Sequence, residues 1–184
     1  MPRKASTPSS RNASRPGRGA DVGPLDYEDA FIRNILRRTK VIAMVGASTN
    51  RQRPSFFAMK YLQAKGYRVI PVNPAAAGQD LLGEMVRASL KEIEVSVDMV
   101  DVFRASEHVG PIADEAIAIG AKTLWMQLGV RNDEAAAKAS AAGLDVVMDR
   151  CPKIEFGRLN GELSWGGINS GIISAKRPKI VRTI

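Results

Sequence analysis

The chain has almost none of the residues that carry covalent or metal chemistry. It holds one cysteine, Cys151, and one histidine, His108, among 184 residues, so no internal disulfide can form and no Cys/His zinc cluster can be assembled. No G-x-S-x-G elbow and no Walker-type loop occurs, which removes the motif-based case for a hydrolase or a P-loop NTPase. Asp98 and Asp101 fall in one expected strand at odd spacing, so they are expected on opposite faces rather than as an acid–base pair. Apolar runs are strand-sized, well short of the roughly 18 to 20 residues of a membrane span. The basic start of the chain lacks the apolar core of a secretory signal. These absences lead to an expectation of a cytoplasmic protein with no membrane segment, no metal site and no catalytic residues.

Glycine is also missing where a dinucleotide fold needs it. The run Val41-Ile-Ala-Met-Val45 ends at Gly46-Ala47-Ser48, as a buried parallel strand does when it enters a phosphate-binding turn. The residues that follow, Thr49-Asn50-Arg51-Gln52-Arg53-Pro54-Ser55, supply arginines, hydroxyls and amides in place of the further glycines of G-x-G-x-x-G. The second strand, 67–72, ends in Asn73-Pro74, where an NAD-type fold places an acid against the ribose. A nucleotide site of another kind is indicated, although Asn73-Pro74 also reads as an ordinary turn opener and Gly46 as a tight turn.

The formal charge of +8 belongs to the ends of the chain. Arg3, Lys4, Arg11, Arg15 and Arg18 at one end, and Lys176, Arg177, Lys179 and Arg182 at the other, have no acid among them, which leaves 18 bases against 19 acids between. The body is close to neutral, so nucleic-acid binding would depend on the tails. Residues 1–24, rich in Ser, Pro, Arg and Gly, are expected to be a disordered basic tail. A domain over 25–160 follows, then an extension over 161–184 whose Trp165 sits among glycines.

Within the body, helical and strand patterns alternate. An amphipathic lead-in helix with apolar Tyr27, Phe31, Ile32, Ile35 and Leu36 precedes strand 41–45. A helix over Pro54–Lys65, with Phe57, Tyr61 and Ala64 on one face and Ala58 and Leu62 beside them, leads to strand 67–72. Ser89 is expected to cap a brief helical turn, 97–103 a third strand, and Ser106 the N-cap of a helix with the stripe Val109, Ile112, Ala113, Ala116 and Ile117. Strand 123–126, a helix over 133–142 capped by Asn132, and strand 144–148 complete the pattern. The expected fold is α/β: a three-layer, Rossmann-like open parallel sheet of about five strands with helices on both faces.

In such a sheet the loops at the carboxyl ends of the strands face one crevice. Here they are Gly46-Ala47-Ser48, Asn73-Pro74, Phe103-Arg104, Gln127-Leu128-Gly129-Val130 and Asp149-Arg150-Cys151, a polar, neutral-to-basic set suited to an anionic ligand with an apolar part. His108, in the first turn of a helix, reads as a surface residue. Cys151 reads either as a small buried hydrophobe or as a thiol whose pKa is lowered by Arg150 and Lys153.

These stretches carry a resemblance. Val45-Gly46-Ala47-Ser48, Arg53-Pro54-Ser55, Val69-Ile70-Pro71-Val72-Asn73-Pro74, the run from Val97 to Arg104, the run from Ala121 to Val130, and Val146-Val147-Met148-Asp149-Arg150-Cys151-Pro152 resemble, in order, the small stand-alone CoA-binding proteins. Their domain is similar to the CoA-binding domain of the succinyl-CoA synthetase alpha subunit. The resemblance implies that Gly46, Ala47 and Ser48 approach the phosphates of coenzyme A, with Arg53, Pro54 and Ser55 in the same loop and helix start. By the same resemblance Asn73 and Pro74 border the nucleotide, Val102, Phe103 and Arg104 its adenine and ribose side, and Gln127, Gly129 and Val130 the far wall. His108 matches no phosphohistidine position, so the implied role is binding of CoA or an acyl-CoA without turnover, as a carrier, sensor or regulator. An NAD(P)-binding redox module and a nucleic-acid-associated protein using its basic ends are the competing readings, and self-association is left open.

Overall fold

The computed structural model describes residues 25–162; the expected tail over 1–24 and most of the extension, including Trp165, lie outside the described residues. Five parallel strands form the sheet: β1 (Val41–Val45), β2 (Arg68–Val72), β5 (Met99–Val102), β6 (Thr123–Met126) and β7 (Asp145–Val147), in the order β2-β1-β5-β6-β7. All are apolar enough to be covered on both faces, as a parallel sheet must be. Helices α3 (Val109–Ala118) and α4 (Asp133–Ala141) pack on one face through Val100, Val102, Leu124 and Met126. Helices α1 (Asp29–Arg38), α2 (Pro54–Ala64) and α5 (Pro152–Leu159) belong to the core of the other, built on Ile42, Met44, Met99 and Trp125. The expected three-layer α/β architecture is the one found.

The strand order determines where a ligand can enter. From β1 the chain runs through α2 to β2 on one side, then returns past β1 to β5 and continues outward, so the direction of winding reverses between β1 and β5. At such a reversal the connections leave in opposite directions and open a crevice at the carboxyl ends of the two strands.

Several local expectations are corrected. The lead-in helix starts at Asp29, because Tyr27 turns its hydroxyl to accept a hydrogen bond from the Met148 amide at 2.8 Å. In α2 the buried positions are Ser55, Ala58, Met59 and Leu62, and Phe57 is 54 % exposed: the 3.6-residue period has several apolar stripes here, and the sheet takes the one with smaller side chains. The connection from β2 to β5 contains a small antiparallel hairpin, β3 (Asp80–Leu81) and β4 (Glu84–Met85), too short to leave a strand pattern. Ser89 precedes a 3-10 turn without a side-chain cap. Ser106 is not the cap of α3. A 3-10 turn intervenes, and Ser106 Oγ instead accepts from the Arg131 amide at 3.0 Å while its carbonyl accepts from Asn132 Nδ2 at 2.9 Å. Asn132 caps α4 as expected, its Oδ1 accepting from Ala135 N at 2.9 Å. Helix α5, opened by Pro152, was not anticipated from the pattern.

Candidate functional site

Gly46 shapes the crevice. Its φ is +86°, a left-handed conformation open to glycine, and a Cβ at this position would stand 2.5 Å from the Phe103 carbonyl oxygen and 2.9 Å from Arg104 Cδ. The glycine is therefore required for both the turn and the close approach of the β1 and β5 tips. Its own N–H donates to Val72 O at 2.8 Å and so belongs to the sheet. The amides of Ala47 and Thr49, next in the chain, have no hydrogen-bond partner among the described residues.

The loop from Ala47 to Arg53 is held by its own polar side chains. Ser55 Oγ accepts from Ser48 N at 3.1 Å, Ser48 Oγ from Asn50 N at 3.2 Å, and Asn50 Oδ1 from Gln52 N at 2.9 Å. As an acceptor, the partly exposed Ser48 hydroxyl keeps its proton available to a ligand oxygen, while Ser55 is buried beneath it. The loop ends at the start of α2, where Arg53 is the capping residue and Pro54 the first helical residue, so the positive end of the helix dipole faces the strand tips.

Asn73 links two tips. Its Nδ2 donates to Ala47 O at 2.8 Å, and its Oδ1 accepts from Ala75 N at 3.0 Å. This side chain braces the β1 and β2 loops against each other, so its first role is structural. Beside it lies a cleft of about 320 Å³ whose walls include Gly46, Asn73, Pro74, Arg104, His108 and Glu115. Apolar Val45, Val72, Leu90 and Ile112 supply much of its floor.

Four arginines surround these tips. Arg51 and Arg53 follow β1 and Arg104 follows β5, while Arg87 bridges Val72 at the end of β2 through its backbone. None of the four forms an ion pair among the described residues, and Arg51, Arg53 and Arg104 are exposed. Unneutralised guanidinium groups beside free amides and a helix start are suited to phosphate.

The remaining residues are placed differently. Val102 is fully buried against α3 and α4 and can offer a ligand no side-chain contact. Phe103, partly buried, packs on the opposite core. Gln127 and Val130 are buried, and Gly129 donates its N–H to Asp149 Oδ1 at 2.7 Å, so the β6 loop does not line the cleft and these groups are already engaged. Gln127 Nε2 donates to both carboxylate oxygens of Asp101, at 2.9 and 3.1 Å. Asp101 is completely buried without a cation, and burial pushes its pKa up to about 7 despite the opposing effect of Gln127. Sequence reasoning missed this pair, whose only signal was an acid in an otherwise apolar strand. Asp98 lies before β5 rather than in it; burial opposes its ionisation, but Lys122 and the amides of Val41 and Lys40 outweigh that and hold its pKa low. Of the two readings of Cys151, the small buried hydrophobe is the one found: burial, reinforced by Asp101, raises its thiol pKa against the helix amides and Lys153. Arg150 is turned away, bonded to Leu25 O and lying over the Tyr27 ring.

A doubly wound parallel sheet whose reversal point carries a glycine-narrowed crevice, free amides and arginines defines a nucleotide-binding domain. Residues 40–157 match the CoA binding domain family, and the chain belongs to that family. It is 41% identical over 125 residues to the uncharacterized protein YneT of Bacillus subtilis (strain 168), covering 68% of this chain and 91% of YneT. Among solved structures it is similar to a hypothetical protein from Pyrococcus horikoshii OT3, with 38% identity and a TM-score of 0.72, covering 78% of this chain and 100% of the other. A cell-free protein, ID.343, from Thermus thermophilus is 38% identical with a TM-score of 0.70, covering 72% and 99%. Among the described residues no group of acids, His and Cys is arranged to hold a metal ion, and no helix is long and apolar enough to cross a membrane.

Proposed function

We propose that the chain binds coenzyme A or an acyl-CoA at the carboxyl edge of its sheet and acts as a carrier, sensor or regulator rather than as an enzyme. Family membership supports the ligand class, and the observation that carries the site is Arg104 in the cleft wall, with Arg51, Arg53 and Arg87 on the neighbouring strand-end loops, none of them ion-paired among the described residues. Coenzyme A combines a purine nucleoside, a pyrophosphate and a 3′-phosphate with a pantetheine arm. In this reading the nucleoside enters the cleft between Pro74 and Ile112, where Glu107 and Glu115 accept from its amino and hydroxyl groups. The phosphates meet Arg53, Arg104 and the amides of Ala47 and Thr49, and Asn73 keeps the two loops at the spacing they need. The arm then crosses toward the β6 loop at Gln127 and Gly129.

The non-catalytic role is inferred from the chemistry available. His108 lies in the cleft, where no acid among the described residues is bonded to its ring, and the Cys151 thiol is buried and held protonated. Isothermal calorimetry with CoA, acetyl-CoA and NAD tests the reading. Heat of binding with the first two and none with NAD is expected, and binding of NAD alone would overturn it in favour of a redox module.

A further inference from the structure

We propose that Asp101 makes ligand binding at this edge proton-linked: a phosphate-bearing ligand docks more tightly when the buried carboxyl group of Asp101 is protonated, so the protein takes up a proton as the ligand binds. The inference rests on the CoA reading above and adds a regulation of that site by pH in the neutral range.

The geometry carries it. Asp101 pairs in register with Met44 of β1 and Trp125 of β6, next to the strand reversal. It lies two residues before Phe103, whose carbonyl faces Gly46 at the crevice. Two strand residues span about 7 Å, so Asp101 sits one same-face step below Phe103 at the crevice rim, under the loop to which the CoA reading assigns the phosphates. Both of its oxygens accept from a single neutral donor, Gln127 Nε2. Among the described residues no cation pairs with it; Cys151 at the start of α5 is the titratable group coupled to it, while β1 and β6 present Met44, Trp125 and Gln127.

A negative charge sealed in this position repels arriving phosphates through poorly screening protein. Protonation removes the repulsion. Reciprocally, the bound ligand raises the proton affinity of Asp101. Burial, against the opposing effect of Gln127, already brings the group to about 7, so both of its forms are populated near neutrality. The sign follows: affinity is greatest with Asp101 protonated and falls as pH rises through the neutral range.

His108, Glu107 and Glu115 line the cleft, but they are common to wild type and Asp101→Asn, so the difference between the two proteins isolates Asp101. Calorimetry of CoA binding in buffers of different ionisation enthalpy counts the protons exchanged. At pH 7 the wild type is expected to take up a clear fraction of a proton more than Asp101→Asn. Between pH 6 and 8 its Kd should rise about three- to tenfold relative to the variant. Tight binding with the same proton count and pH profile in both proteins overturns the inference and leaves the CoA reading standing. No CoA binding by the wild type ends both. If the variant does not fold, carboxyl 13C titration of the wild type decides: the Asp101 resonance should titrate at higher pH in saturating CoA than without it, and an unchanged midpoint refutes the linkage.

Discussion

The two ends of the sheet treat charge in opposite ways. At the amino end Arg38 is paired with Asp145, Lys122 with Asp98 at 2.8 Å and Arg68 with Glu84 at 2.8 Å. A depression of about 400 Å³ there is larger than the carboxyl-end cleft, yet its charged walls, Arg38, Lys122 and Asp145, already have protein partners. At the β1, β2 and β5 tips, by contrast, Arg51, Arg53, Arg87 and Arg104 pair with no acid among the described residues, two loop amides have no acceptor there, and a carboxyl group is buried without a cation, whereas Arg131 and Arg150 beyond β6 and β7 are paired with Asp133 and Glu155. Charges that serve the fold are neutralised within it, and those left open at these tips are the ones the CoA proposal assigns to the ligand. Cavity size alone would point to the amino end, against the proposal.

The contrast can be broken most severely at Gly46. Gly46→Ala forces a side chain into a left-handed conformation, about 1–2 kcal/mol, and against a backbone carbonyl that cannot yield, a further ~1–3 kcal/mol. Urea unfolding should show a loss of that combined size together with loss of CoA binding; a variant of wild-type stability would mean the β1 and β5 tips are not packed as described. Asn73→Ala removes the brace between loops and should cost about 1–2 kcal/mol by the same measurement, with weaker CoA binding.

Arg104→Ala sharpens the comparison. Affinity for CoA should fall about tenfold while thermal stability stays within about 0.5 kcal/mol. The matching change at the other end, Arg38→Ala, should leave CoA affinity untouched and reduce stability by at most about 1 kcal/mol. The reverse pattern would place the ligand at the amino end. The smallest effect is expected at Lys122. Because Lys122 and two amides hold the Asp98 pKa low, their stabilisation is complete above the usual carboxylate range and is lost as pH falls through the lowered value. Lys122→Ala should therefore lower stability near neutrality by about 1 kcal/mol or less and flatten its acid dependence, which pH-resolved melting curves would reveal.

Much of the fold was legible because parallel strands announce themselves as short apolar runs ending in glycine, asparagine or arginine. Asn132 was readable as a cap because its partner lies only three residues on, whereas Ser106 satisfies groups 25 and 26 residues away, contacts that no local pattern encodes. Phe57 shows the limit of periodicity, since α2 could bury more than one stripe and only the neighbouring sheet decides between them. At the site, the positions of Gly46, Asn73 and Arg104 on the strand tips followed from strand ends alone. What those residues spend their hydrogen bonds on did not: the Gly46 amide and Asn73 side chain turned out to hold the crevice together, and Gln127 to serve Asp101. The basic tails and Trp165 lie outside the described residues, so their expected roles gain nothing from the structure.

Amide-resolved NMR of the labelled protein titrated with CoA is the most direct test of the carboxyl edge as the binding site. Shifts should concentrate at 47–55, 73–76 and 103–108. Shifts confined to the surroundings of Arg38, Lys122 and Asp145, or none at saturating CoA, would contradict it.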